Sequence, residues 1–217
     1  MRRAASSITV ATLLCLIPPA GADVGGITDR RDTSGPQDIR VIEHSHGRPT
    51  AKGAATVRFV IESHRPWRTR RLQCSRQSSK CRSIFNIYVT TDERRDIERQ
   101  IQVFKRDGEV MATVSRYSDS TCVAPGTLCW QESRFEGRGR FWRPDRRSFV
   151  VTVPVRMLGR RVETYGWRVW LAFYRDRPCP EYSSETGNQE WGDYVCSDYA
   201  PEPNRAYRRY RWIWHTL

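Results

Sequence analysis

Three groups of residues have types and spacings suited to chemistry. The first is His44-Ser45-His46. On an extended strand, positions i and i+2 point to the same side, so the two imidazoles form a candidate pair of transition-metal ligands. His64 follows on a neighbouring segment, and Glu62 close by would suit general acid–base work. Against this, both histidines lie at a strand end beside Gly47, where solvent exposure is the usual case. The second group is Asp32, Asp38 and Asp198. If the first and last segments of the chain meet, these carboxylates would supply the oxygen ligands of a structural Ca²⁺; otherwise they are turn, strand-start and loop residues. The third is aromatic. Trp130, Trp142, Trp170, Trp191, Trp212 and Trp214 present rigid apolar faces on which pyranose rings or bases stack. The arginines beside several of them suit anionic sugars or single-stranded nucleic acid. Of these, Trp130, Trp142, Trp170 and Trp191 are the expected ligand-binding set.

Signs of catalysis are missing. The chain has no G-x-S-x-G and no H-E-x-x-H, and no spacing singles out two carboxylates for glycoside cleavage. A non-catalytic binding role is therefore expected. The alternatives are a nuclease-like hydrolase using His and Arg on an acidic substrate, or a structural protein with no small ligand.

The N-terminus reads as a secretory signal peptide over residues 1–22. It has a basic start at Arg2-Arg3, an apolar run from Ile8 to Ile17, a break at Pro18-Pro19 and an A-x-A pattern at Ala20-Gly21-Ala22. The run is too short to span a bilayer, and no later stretch reaches spanning length. Residues 23–36 read as a flexible leader and residues 37–217 as one domain. The chain carries a formal net charge of +13 over 217 residues, which draws anionic partners such as cell-wall polymer, acidic polysaccharide or nucleic acid. Only Lys52, Lys80 and Lys105 are lysines. Nearly all the positive charge is arginine, spread along the chain, a composition that a GC-rich coding sequence also produces.

Outside the signal the cysteines are Cys74, Cys81, Cys122, Cys129, Cys179 and Cys196. An even number in an exported chain implies disulfides, and zinc would want closer spacing with histidines nearby. Six cysteines allow about fifteen pairings. Spacing favours Cys74–Cys81, Cys122–Cys129 and Cys179–Cys196, each closing one loop; the short loops contribute roughly 2.5 kcal/mol each and the longer about 3 kcal/mol.

The elements that must hold these residues alternate with a period of two. Tyr165, Trp167, Val169, Leu171 and Phe173 fall on one face of a strand, with Arg168, Trp170, Ala172 and Tyr174 on the other. Val57, Phe59 and Ile61 share a face, as do Phe85, Ile87 and Val89. In the first strand, Ile39 and Val41 are placed on one side and Arg40 and Ile42 on the other. Asp107-Gly108 between alternating runs marks a hairpin. Ser118–Gly139 reads as a loop, with a short strand at Arg140–Arg143. The region 176–204 reads as a loop, and Ala206–Leu217 as a last strand or a basic turn. The expectation is an all-β, antiparallel β-sandwich of about seven to nine strands with disulfide-stapled loops.

The segment order carries a resemblance. D-T-S-G-P-Q-D-I-R-V at 32–41, V-R-F-V-I-E, I-F-N-I-Y-V-T-T-D-E-R-R-D at 84–96, Q-V-F-K-R-D-G-E-V-M-A-T-V, F-V-V-T-V-P, Y-G-W-R-V-W and D-Y-A-P at 198–201 follow one another. In this order they resemble secreted proteins, many of them actinobacterial, whose fold is similar to the DOMON and family-9 carbohydrate-binding-module β-sandwich. Relatives often carry D-T-D at the end of the third strand, where this chain has Thr90-Thr91-Asp92. The resemblance implies a β-sandwich and a binding role, and no reaction. The expected partner is extracellular polysaccharide or anionic cell-wall polymer.

Overall fold

A computed structural model describes residues 24–31, 38–47, 55–74, 83–91, 97–117, 133–159, 162–175, 194–200 and 212–216. Eleven strands lie among them: β1 (Val24–Thr28), β2 (Ile39–Gly47), β3 (Thr56–Ser63), β4 (Ser83–Thr90), β5 (Arg99–Arg106), β6 (Glu109–Tyr117), β7 (Ser133–Trp142), β8 (Ser148–Pro154), β9 (Thr164–Arg175), β10 (Tyr194–Ala200) and β11 (Ile213–Thr216). They form one sheet in the order β1-β2-β3-β8-β7-β6-β5-β4-β9-β10, with β11 also on β9. Every strand pair is antiparallel. The all-β, antiparallel expectation holds. The sheet curls almost into a closed barrel, so its two ends face each other across a seam. Among the described residues no helix is long and apolar enough to cross a membrane.

The inner faces follow the alternation. Tyr165, Trp167, Val169 and Leu171 of β9 are buried beside Phe85, Ile87 and Val89 of β4, and the opposite wall supplies Val57, Phe59 and Ile61 of β3 with Phe149, Val151 and Val153 of β8. Ring contacts join the walls: Phe59 lies edge-on to Trp167 at 5.7 Å and Phe85 meets Phe149 at 4.6 Å between centroids, a geometry worth somewhat more than its area alone. The β5–β6 hairpin turns at Asp107 (φ 50°) and Gly108 (φ 87°), the two positive values a two-residue type I′ turn requires.

The structure departs from expectation in four places. A register shift between Ile39 and Val41 puts a bulge into β2. Past the bulge the parity changes, so Ile39 and Ile42 are both buried while Val41 is only half-buried. The segment read as a leader contains β1, paired to β2 from Val24↔Ser45 to Thr28↔Val41. Part of the segment read as a C-terminal loop is β10. Finally, β7 begins at Ser133 rather than Arg140. It pairs with β6 through Ala112↔Gly139 and with β8 from Arg140↔Thr152 onward, so one strand joins the two halves of the sheet. Glycine is needed there: a Cβ at Gly139 would lie 2.8 Å from Val153 Cγ1 and 3.0 Å from the Thr152 carbonyl oxygen.

The turn before β8 is held by polar contacts. Asp145 Oδ1 accepts from the amides of Arg147 (2.6 Å) and Ser148 (2.8 Å), which lower its pKa below the ordinary carboxylate value. Arg143 stacks 4.0 Å over the buried Trp67 ring and donates to the Trp67 carbonyl at 3.2 Å. Cys74 is disulfide-bonded. Cys81, Cys122, Cys129 and Cys179 lie outside the described residues, as do the signal segment 1–22 and the side chain of Cys196.

Candidate functional site

The histidines do not stand in solvent. The bulge in β2 aims His44 inward, and it is 1% exposed. Its Nε2 is hydrogen-bonded to the hydroxyl of the fully buried Tyr165, and its ring stacks on Trp167 at 5.5 Å. Burial, then the nearby His215 and His46, lower the His44 pKa to about 3; burial raises that of Tyr165. Both groups are therefore neutral at physiological pH and sealed from solvent, which suits packing rather than proton transfer to a substrate. His46, one step along the strand, is half-buried and hydrogen-bonded through Nδ1 to His215 Nε2 of β11 at 2.8 Å. Glu62 points to the other side of the sheet, where it pairs with Arg40 at 2.8 Å. The acid–base pairing of Glu62 with His44 or His46 is thus not formed, because the two sets occupy opposite faces.

Of the three carboxylates expected to share an ion, Asp38 and Asp198 are both buried and come to the same end of the seam. Asp198 Oδ2 accepts from the amide of Ile39, next in sequence to Asp38, at 2.7 Å. Asp32 lies outside the described residues. Among the described residues no group of three or more His, Cys, Asp or Glu side chains is arranged to hold a metal ion. Asp198 instead ties β10 to the start of β2.

The aromatic expectation divides. Trp130 and Trp191 lie outside the described residues. Trp170 is half-buried and stacked on Tyr88 at 6.1 Å with rings 17° apart. Its neighbour Arg168 is buried, with its guanidinium 4.4 Å from the Trp212 ring and 5.4 Å from Tyr88. The outer side of β9 is thereby covered scaffold at these positions. Trp142 is different: 42% exposed, with the Arg58 guanidinium 5.3 Å over its ring.

Trp142 belongs to a stripe. The pairings Ser115↔Phe135, Thr113↔Arg138, Arg140↔Thr152 and Trp142↔Val150 place Phe135, Arg138, Arg140 and Trp142 on the outer face of β7. Phe135 is 60% exposed, the most exposed large apolar side chain among the described residues; Arg138, Arg140 and Arg58 are exposed as well. Two aromatic plates flank two guanidinium groups over about 23 Å of strand. Arg138, Arg140 and Trp142 were readable from their i, i+2, i+4 spacing once β7 is known to be a strand. Phe135 was not, because the pairing steps from Val114↔Gly137 to Ser115↔Phe135, and the extra residue, Glu136 of β7, shifts its parity.

Chemically, the stripe offers stacking faces for rings and fork-shaped donors for carboxylate or phosphate oxygens. It offers no nucleophile and no base. Comparison with models of protein families, with curated proteins and with solved structures finds no match to this chain.

Proposed function

We propose that this chain is a secreted, non-catalytic binding module for an anionic extracellular polysaccharide or cell-wall polymer, held along the outer face of β7. The observation that carries the reading is the exposed Phe135-Arg138-Arg140-Trp142 stripe, extended sideways by Arg58. Rings of a linear glycan stack on Phe135 and Trp142 while its acidic groups meet the arginines between them. The chain's net charge of +13 raises the local concentration of such a polymer. The signal-like N-terminus, the resemblance to DOMON and family-9 carbohydrate-binding modules, and loops closed by Cys74–Cys81, Cys122–Cys129 and Cys179–Cys196 on a sandwich-like core are parts of the same reading.

The test is retention of the purified protein on insoluble acidic glycans and on cell-wall fractions at low salt. Wild type is expected to be retained, and Trp142→Ala combined with Arg138→Ala and Arg140→Ala to be released. Salt should weaken retention, since solvent-exposed charges are screened. Passage of the wild type through every matrix sinks the proposal.

A further inference from the structure

The inner face of the sheet carries a second basic feature that the outer stripe does not explain. Following the register sideways from the core, Trp167 pairs with Val89, Val89 with Arg99, Arg99 with Arg116 and Arg116 with Arg134. Directly opposed residues of antiparallel strands share a face. Three arginines on β5, β6 and β7 therefore stand side by side, continuing a row that begins in the aromatic core. Arg99 is 9% exposed, whereas Arg116 and Arg134 are exposed at the rim.

Such an arrangement is unfavourable by itself, since like charges directly opposed on a sheet repel. Glu98 and Glu136 offset the repulsion at Arg99, but only from ion-pair distance. Glu98 Oε2 already accepts from the Thr91 amide at 2.7 Å and from the Thr91 hydroxyl, and it stands 3.9 Å from Arg99. Glu136 Oε2 lies 4.0 Å from Arg99 Nε. Both separations exceed hydrogen-bond length. Among the described residues the buried Arg99 Nε–H has no hydrogen-bond acceptor, a condition rare enough in folded proteins to need an explanation.

We propose that the Arg99–Arg116–Arg134 row is a binding site for a phosphate or sulfate group. A tetrahedral oxyanion carries enough acceptor oxygens to engage several guanidinium forks and enough charge to relieve their repulsion. Burial, with Arg116 beside it and Glu136 and Glu98 opposing, lowers the Arg99 pKa, so an anion here would act against a desolvation cost already present. Gly159 backs onto the Arg99 guanidinium: a Cβ there would lie 3.7 Å from Arg99 Nη2. The site is independent of the outer stripe, because Arg134 and Arg138 lie on opposite faces of β7.

The experiment is thermal unfolding and calorimetric titration of the full chain with inorganic phosphate, sulfate and glycerol phosphate, against potassium chloride at matched ionic strength. Saturable stabilisation by phosphate or sulfate and none by chloride is the expected result. Arg116→Gln combined with Arg134→Gln should weaken binding about tenfold or more with an unchanged circular dichroism spectrum, since both side chains are exposed. Arg138→Gln combined with Arg140→Gln should leave it unchanged. Glycerol phosphate binding as tightly as phosphate identifies an ester group as the ligand; binding of the inorganic ions alone identifies a free ion. Equal effects of phosphate, sulfate and chloride, or undiminished binding by the Arg116/Arg134 variant, overturn the proposal.

Discussion

Lowering the pH from 7 to 5 should destabilise this protein in a way that depends on one buried side chain. Free histidine titrates near 6.5, but in the fold His44 titrates at about 3, chiefly because its burial excludes the charged form. Between those values the unfolded chain binds a proton at this position and the folded chain does not. Stability therefore falls as pH drops through 6.5 and goes on falling toward 3. For a group shifted from 6.5 to about 3, the loss between pH 7 and pH 5 is about 2 kcal/mol. Stopping at pH 5 keeps most carboxylates ionised. The assay is urea unfolding at both pH values for the wild type and for His44→Gln. The substitution lowers stability at every pH by disturbing the Tyr165 hydrogen bond and the Trp167 stack, but it removes the titrating group. Its pH-dependent loss should be smaller than that of the wild type by about 2 kcal/mol. Equal losses in wild type and variant would refute the reasoning, because His44 would then titrate alike in the folded and unfolded chains.

Other predictions follow from single contacts. Gly139→Ala places a methyl group against Val153 and the Thr152 carbonyl and should cost about 1–3 kcal/mol in denaturant unfolding. Gly108→Ala, at a turn position with φ 87°, should also destabilise, by about 1 kcal/mol. Asp145→Asn removes a carboxylate whose pKa is depressed by the Arg147 and Ser148 amides. The variant should be less stable than the wild type at neutral pH. Because that stabilisation needs the ionised form, the difference should shrink as pH falls through the folded pKa, as measured by thermal unfolding from pH 7 to pH 2.

Much of the scaffold was legible in the sequence. The alternation of β9, β4 and β3 gave the inward faces, and Asp107-Gly108 gave the hairpin, because each rests on local chemistry. Local parity failed where pairing intervened. A single bulge in β2 turned Ile42 inward and took His44 and His46 with it, so histidines that looked solvent-facing became part of the interior. Residues 133–139 looked like part of a loop, yet one of their glycines, Gly139, is what lets β7 lie close against β8. Both proposed binding features depend on the same missing information. Phe135 joins Trp142 only after a register shift, and Arg99, Arg116 and Arg134 are dozens of positions apart at their extremes. Nothing in their spacing says that three strands will place them in one line.

The seam between the sheet's two ends has its own consequence. Around most of the circumference, neighbouring strands hold one another through continuous backbone ladders. Among the described residues, the hydrogen-bonded links across the seam are side-chain ones: Asp198 to the Ile39 amide, His44 to Tyr165 and His46 to His215. Side-chain ties of this kind open at less cost than a ladder of amide bonds, and the ladder that β11 makes with β9 is only four residues long. The molecule should accordingly loosen from one line outward. Amides of β11 and β1 should exchange with solvent through local openings well before those of β4 and β5 on the far wall, which makes the seam the first stretch of backbone to yield under heat, denaturant or mechanical load.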